Sequence, residues 1–302
     1  MARPGDPSGS PAAVSEDAGS IDDVLASLDR PPPRPRDLYY RWEREQWEAG
    51  AIDFAPDRSA WPALDPATRT SILAALACVL VPDGRVAELL VPFVDAVATE
   101  EEQVFLTTQL VDEARAVVLS DRFFEEVVQG KSKTEKRDEV EPGVGLANRR
   151  LDELFAQVAP RAEAVRVDRM PSAELHAGLL LLDVVFEGVV LVAVTRRLCH
   201  WLERDAGLDG LRTGLVNLGR DVTRHVLFAE HLIQNADQPE ADLAALEGVI
   251  EEALPVVRGV VDDAAEASND FAGLPLTDAE LSTETMECLA RRVQDVGIDL
   301  PT

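Results

Sequence analysis

Apolar residues recur with a helical period along nearly the whole chain and no stretch alternates with period two, so the pattern predicts an all-α protein. Caps and breakers divide it. A helix over 37–49 is closed by Gly50 as its C-terminal cap, and a linker anchored by Phe54 and Trp61 follows. Asp65-Pro66 reads as the N-cap and first-turn proline of a helix reaching Leu80. Pro82-Asp83-Gly84 writes a turn or sharp kink, after which helical spacing resumes through Val91. Thr99 and Glu102 spell a capping box for an unbroken helix to Gln129. A charge-dense loop over 131–142 precedes shorter helical stretches around 151–159. Ser172 caps a second long helix to Arg204, a third covers 211–235, and two more cover 240–268 and 278–296. Long helices with the most apolar one in the middle describe an antiparallel bundle. No period of roughly 20–50 residues repeats, which excludes a solenoid.

That middle helix contains LLLLDVVFEGVVLVAV over 179–194, apolar except for Asp183 and Glu187. Two carboxylates in mid-segment argue against a membrane span and for the central helix of a bundle, so the buried acids need partners.

Composition narrows the functions. Lys+Arg 29 against Asp+Glu 56 leaves a net charge of −27, a surface that repels phosphate backbones and anionic lipid. Nucleic-acid binding and membrane attachment are both set aside. Cys78, Cys199 and Cys288 lie far apart with no CxxC spacing, as expected of reduced thiols in a cytoplasmic protein. Residues 1–36 hold seven of the 19 prolines and read as a disordered leader, leaving 37–302 as a single helical domain.

Three long helices place ionisable groups among apolar neighbours. The first carries Asp112-Glu113-Ala114-Arg115-Ala116, the second Asp183 and Glu187, and the third Asp221-Val222-Thr223-Arg224-His225. The first and third are imperfect copies of one pattern, Asp-Glu-x-Arg-His. In helix bundles a Glu and a His three apart share a face, and two such helices plus acids from two others can enclose a pair of metal ions. The preceding Asp commonly holds a histidine ring in its tautomer. Neither copy is complete here. A metal-free core cluster, with protonated His225 or Arg115 and Arg224 neutralising Glu113 and Glu187, remains the alternative to a metal site.

At these residues the chain resembles the ferritin-like proteins related to ribonucleotide reductase small subunits and the ligand-binding oxidases similar to them. The resemblance rests on Leu38-Tyr39-Tyr40-Arg41-Trp42-Glu43 with Trp47, on Ile52-Asp53-Phe54 and Trp61, and on Glu101 through Gln109 leading into Asp112-Glu113-Ala114-Arg115. Glu187-Gly188 and Arg220 to His225 complete it. It implies a ferritin-like antiparallel bundle with extra flanking helices. Carried over one at a time, the family's six metal ligands fall on Gly84, Glu113, Ala116, Glu187, Val222 and His225. Glu113, Glu187 and His225 are retained; Gly84, Ala116 and Val222 mark lost positions.

The losses gather on one side, so the resemblance implies either no metal or a single divalent iron or manganese ion held by Glu113, Glu187 and His225, with Asp112 orienting His225. The family's radical tyrosine corresponds to Ser120, and the two tyrosines, Tyr39 and Tyr40, both lie near the N-terminus, so tyrosyl-radical ribonucleotide reduction is not expected. Three functions stay open. One is a non-catalytic or regulatory paralogue, as a homodimer or a heterodimer with an intact relative. Another is a one-metal oxidase or oxygenase. The last is a bundle binding a hydrophobic small molecule in space vacated at Ala116 and Val222. His176, His200 and His231 carry no matching acid at metal spacing and are assigned helix-end or surface roles.

Overall fold

The computed structural model describes residues 19–80, 83–128, 142–168, 173–205, 207–236, 240–268 and 279–300. Among the described residues every regular element is helical. Order begins well before residue 37: Ser20 caps a short helix α1 (Ile21–Leu25), and a 3₁₀ turn, Ala26–Asp29, follows. Ile21 and Leu28 are buried, so residues 19–36 of the expected leader are ordered, because two apolar side chains pin this segment to the bundle. Residues 1–18 lie outside the described set.

Helix α2 (Pro35–Arg44) starts on a first-turn proline and ends short of the expected Gly50. The aromatic linker contains a short helix α3 (Ala55–Ala60) and a 3₁₀ turn, with Phe54 and Trp61 buried. Helix α4 (Pro66–Val79) takes Asp65 as its cap, as expected, and α5 (Asp83–Val94) comes next, with the expected turn at Pro82 outside the described residues. Helix α6 (Glu100–Phe123) opens with the complete Thr99/Glu102 capping box and finishes in one π turn, Phe124–Val128. Where shorter stretches were expected, α7 (Pro142–Val167) is one long helix. Leu151, Leu154, Phe155, Val158, Ala162 and Val165 are all buried, so the apolar stripe carries straight through Pro160.

The central rod, α8, joins Ala173–Leu179, a π-helical stretch Leu180–Leu191, and Val192–Asp205. The π stretch departs from the plain α-helix the periodicity predicts. All twelve of its residues are buried. By composition the span Ala173–Arg204 could cross a membrane, but 83% of its most apolar window is buried inside the bundle, so its hydrocarbon faces other helices. Helix α9 (Asp209–Gln234) packs beside α8, and α10 (Glu240–Ser268) and α11 (Ala279–Asp295) complete the array. One buried apolar cluster runs from Ile21 to Ile298.

Two contacts bring the site-bearing helices close. A Cβ on Gly188 of α8 would meet the Val226 side chain of α9 at 3.1 Å, so the residues beside Glu187 and His225 approach backbone to side chain. The N-terminus of α9, whose own cap Leu208 offers no side-chain acceptor, is capped from a distance: Asp57 accepts from Gly210 N at 2.9 Å and Leu211 N at 2.8 Å. This fixes how far α9 slides along the bundle.

Candidate metal centre

Glu113 projects from α6, Glu187 from the π stretch of α8 and His225 from α9. Their ligand atoms lie within 4.8 Å of one another, and all three residues are buried. Burying two carboxylates and an imidazole together is costly unless charge is compensated. Here His225 supplies compensation. Its Nδ1 lies 2.9 Å from Glu187 Oε2 and 4.0 Å from Glu113 Oε1, and its Nε2 lies 3.1 Å from Asp112 Oδ2. Burial opposes the imidazolium, but the charge of Glu187, followed by the hydrogen bonds the ring donates to Asp112 and Glu187, outweighs it and holds the pKa well above the ordinary histidine range.

Asp112 is the hinge of a second layer. It accepts from Trp42 Nε1 at 2.9 Å, pairs with Arg224 Nη2 at 2.7 Å and pairs with Arg115. Burial would raise its carboxyl, but the His225 hydrogen bond and the Arg224 charge hold it well below the usual carboxylate range. Asp221 mirrors it, accepting from Trp47 Nε1 at 2.8 Å and pairing with Arg224 at 2.6 Å and Arg115 at 3.4 Å. The two arginines therefore neutralise Asp112 and Asp221. This corrects the expectation that they would neutralise Glu113 and Glu187: Arg115 and Arg224 pair with the aspartates, each one turn away on its own helix, and it is His225 that faces the glutamates.

One helical turn further, Gln109 Nε2 donates to Asp183 Oδ1 at 3.0 Å. Asp183 is the lone acid for which the sequence demanded a polar partner across the bundle, and Gln109 of α6 is that partner. Burial, then the nearby Glu187 charge, push the Asp183 carboxyl well above its ordinary value. The atoms left over in this pair are Asp183 Oδ2 and Gln109 Oε1. The raised pKa favours the protonated acid at Asp183. Sequence reading missed Gln109, although its place four residues before Glu113 on the same helix face was the available signal. It also left Trp42 and Trp47 without assigned partners, since an indole N–H has no spacing signature.

The space at the centre is about 20 Å³, lined by Glu113, Glu187, His225, Asp112 and Asp221 on the polar side and by Val79, Val86, Ala116, Phe186, Leu191, Leu218 and Val222 on the apolar side. Such a volume takes one water-sized particle. Ala116 and Val222 both line this space, on its apolar side. Gly84 is not part of this wall. It is exposed, with open space where its Cβ would point, and the residues facing the centre from α4 and α5 are Val79 and Val86. Gly84 thus stands apart from the centre, and α4 and α5 present Val79 and Val86 to it.

Ser120 is buried, and Tyr39 and Tyr40 sit on α2, where Tyr39 donates to Glu43 at 3.0 Å. His200 is half-exposed and contacts Asp22 at 2.8 Å, and His231 sits near the end of α9.

With this geometry in view, comparison with solved structures is informative. The fold is that of the R2-like ligand-binding oxidases. A variant of one such oxidase with an anaerobically reconstituted Mn/Fe cofactor superposes with a TM-score of 0.75 at 20% identity, over 87% of this chain and 93% of that one. A second variant, with an aerobically reconstituted Mn/Fe cofactor, gives 0.76 at 20% identity over the same shares. The R2-like ligand-binding oxidase from Sulfolobus acidocaldarius gives 0.64 at 18% identity, over 96% of this chain and 95% of its own. The bundle is thus ferritin-like, as the motifs implied. No protein-family model matches the chain, and no curated protein matches it in sequence.

Proposed function

We propose that this chain is an oxidoreductase relative of the ferritin fold whose centre takes one divalent iron or manganese ion. Glu113, Glu187 and His225 Nδ1 would hold it. The observation that carries this reading is the convergence of three ligand atoms within 4.8 Å from three separate helices. Two carboxylates with one imidazole suit iron(II) or manganese(II). The space of about 20 Å³ fits one ion. On the other side Ala116, Val222, Val79 and Val86 offer only hydrocarbon, so a second ion would lack donors.

A redox-active ion bound here supplies one-electron and dioxygen chemistry. The chain supplies the rest. Asp112 fixes the His225 ring through Nε2 and leaves Nδ1 aimed at the glutamates. Phe186, Leu191 and Leu218 wall the centre against water. Asp183 keeps a neutral acid one turn from Glu187 instead of a further negative charge. No phenol stands at Ser120, so a tyrosyl radical has no seat beside the centre.

A second reading is favoured by the way His225 already satisfies Glu187 and Asp112 at 2.9 and 3.1 Å. A core completed without a metal would make the chain a non-catalytic or regulatory paralogue. Elemental analysis of the purified protein, with oxygen consumption on wild type and Glu187→Ala, separates the two. About one iron or manganese per chain, lost in Glu187→Ala, supports the metal centre; no stoichiometric metal after iron(II) or manganese(II) loading supports the paralogue. Two tightly held ions per chain would overturn both.

A further inference from the structure

Away from the metal centre, the segment that follows the first 3₁₀ turn and the last turns of α9 and α11 line a cleft of about 440 Å³. A cleft of this size takes a small organic molecule. Its charged lining departs from the rest of the chain. Arg30, Arg291 and Arg292 stand with Asp29, Glu230 and Asp295, three cations to three acids, where the whole chain has 29 to 56. These arginines are incompletely matched. Arg292 is 2% exposed, and its Nη1 donates to the Leu28 carbonyl at 2.7 Å and to Glu230 at 2.9 Å. Its Nη2 stands 3.5 Å from Asp29, beyond ordinary hydrogen-bond range, and its Nε is buried without a hydrogen-bond partner. A guanidinium has five N–H donors, and a buried one ordinarily satisfies them. Arg291 is 3.7 Å from Asp29. Among the described residues the exposed Arg30 side chain takes part in no hydrogen bond or ion pair. Glu230 compensates Arg292 only in part, since burial pushes its carboxyl up to about 7.

We infer that this cleft binds a phosphoryl group, free or carried by a small polar molecule. The donors select that chemistry. Three guanidiniums border one space, Arg30 from the N-terminal segment and Arg291 and Arg292 from α11, and a phosphoryl group offers three acceptor oxygens where a carboxylate offers two. The planar fork of arginine also matches phosphate better than an ammonium does. The competing acid is loosely seated. Asp29 has a side chain 62% exposed and lies 3.5 and 3.7 Å from the two arginines of α11, so it can turn to solvent as an anion enters. Pro31 and Pro32 restrict the backbone next to Arg30, which lowers the entropy lost when that side chain closes on a ligand. A phosphoryl group fills only a fraction of the cleft, and the remainder admits the body that carries it. The net charge of −27 still repels a long polyanion, whereas a single group between arginines meets local parity of charge. The cleft shares no residue with the metal centre, and the inference does not rest on the metal.

The test is titration calorimetry on the full-length chain, with glycerol 3-phosphate, inorganic phosphate and succinate as separate probes. Glycerol 3-phosphate should saturate one site per chain with a Kd below about 1 mM, and inorganic phosphate should compete for it. Equal affinity for inorganic phosphate supports recognition of the phosphoryl group alone; tighter binding of the ester supports a carried one. Arg30→Gln and Arg291→Gln, which lie at the surface and leave the core untouched, should each weaken glycerol 3-phosphate by about 10-fold. Arg292→Lys, which keeps the charge and loses the fork, should weaken it at least as much, with unchanged far-ultraviolet circular dichroism certifying folding. Arg44→Gln, at an exposed arginine of α2 outside the cleft, should bind like wild type. The absence of saturable binding by either phosphate overturns the inference. So does succinate binding as tightly as glycerol 3-phosphate, or Arg30→Gln and Arg291→Gln chains that bind like wild type.

Discussion

Asp112 binds the Nε2 of His225 at 3.1 Å and so turns Nδ1 of the same ring toward Glu187 and Glu113. One carboxylate thereby sets the direction of a side chain on another helix. Replacing it tests the arrangement most directly. In Asp112→Asn, manganese(II) or iron(II) affinity measured by titration calorimetry should fall by about 10–100-fold. Thermal stability should fall too, by about 3–5 kcal/mol, because Arg224 loses one of its two buried counter-charges. An Asn variant with wild-type affinity would remove Asp112 from the centre.

The proton on His225 opposes metal. Its pKa is raised in the folded chain, so a cation must displace a proton from Nδ1. Metal affinity should therefore climb as pH rises, and proton release on binding, read from the buffer dependence of the calorimetric heat, should diminish at alkaline pH. For the metal-free protein the sign is the opposite. A raised histidine pKa contributes stability that is complete below the unfolded value of 6.5 and is lost as pH rises through the folded one. Alkaline thermal melts should show this loss, and His225→Asn should not.

Asp183 gives the contrary case of an acid held neutral. Its raised pKa means that the folded state binds a proton the unfolded chain releases, so stability declines as pH climbs above 3.8. Asp183→Asn keeps the shape and the neutrality. Its melting temperature should equal or exceed that of wild type at neutral pH, with the gap widening on the alkaline side. A strongly destabilised Asn variant would show that the ionised form is the one the fold uses.

Glu230 titrates within reach of ordinary buffers. Burial, only partly countered by Arg292 at 2.9 Å, pushes its carboxyl from 4.5 to about 7. Wild type should lose about 3 kcal/mol of stability between pH 4.5 and 7 on this account. Denaturant midpoints for Glu230→Gln should be flatter over that window.

The distant cap on α9 is expected to be worth about 1–3 kcal/mol. Asp57→Ala strands the backbone donors of Gly210 and Leu211, and urea denaturation should register the loss. Asp57→Asn, which keeps an acceptor oxygen, should recover part of it.

How much of this was legible beforehand differs by feature. The capping box at Thr99, the Asp65 cap and the apolar run of α8 followed from local chemistry, and local chemistry survived folding. Glu113, Glu187 and His225 were readable as a group because the motifs around them resemble those of the ribonucleotide reductase small subunits, whose ligand positions they match. The Val79 and Val86 wall was not readable, since which residues of α4 and α5 face inward depends on how those helices pack against the others. Nor was the allocation of Arg115 and Arg224, which depends on side chains meeting between helices.

By itself, then, the sequence determined the helices and caps, because hydrogen bonding and side-chain spacing within a helix are local, and its motifs carried the resemblance that singled out Glu113, Glu187 and His225. Only the tertiary structure decided that Asp112 serves His225, that Asp57 caps α9 and that Gln109 shelters Asp183. Those pairings depend on the rotation and slide of one helix against another. That placement is fixed by packing over the whole core, including the widened turn of α8 and the close approach at Gly188, and no single helix encodes it.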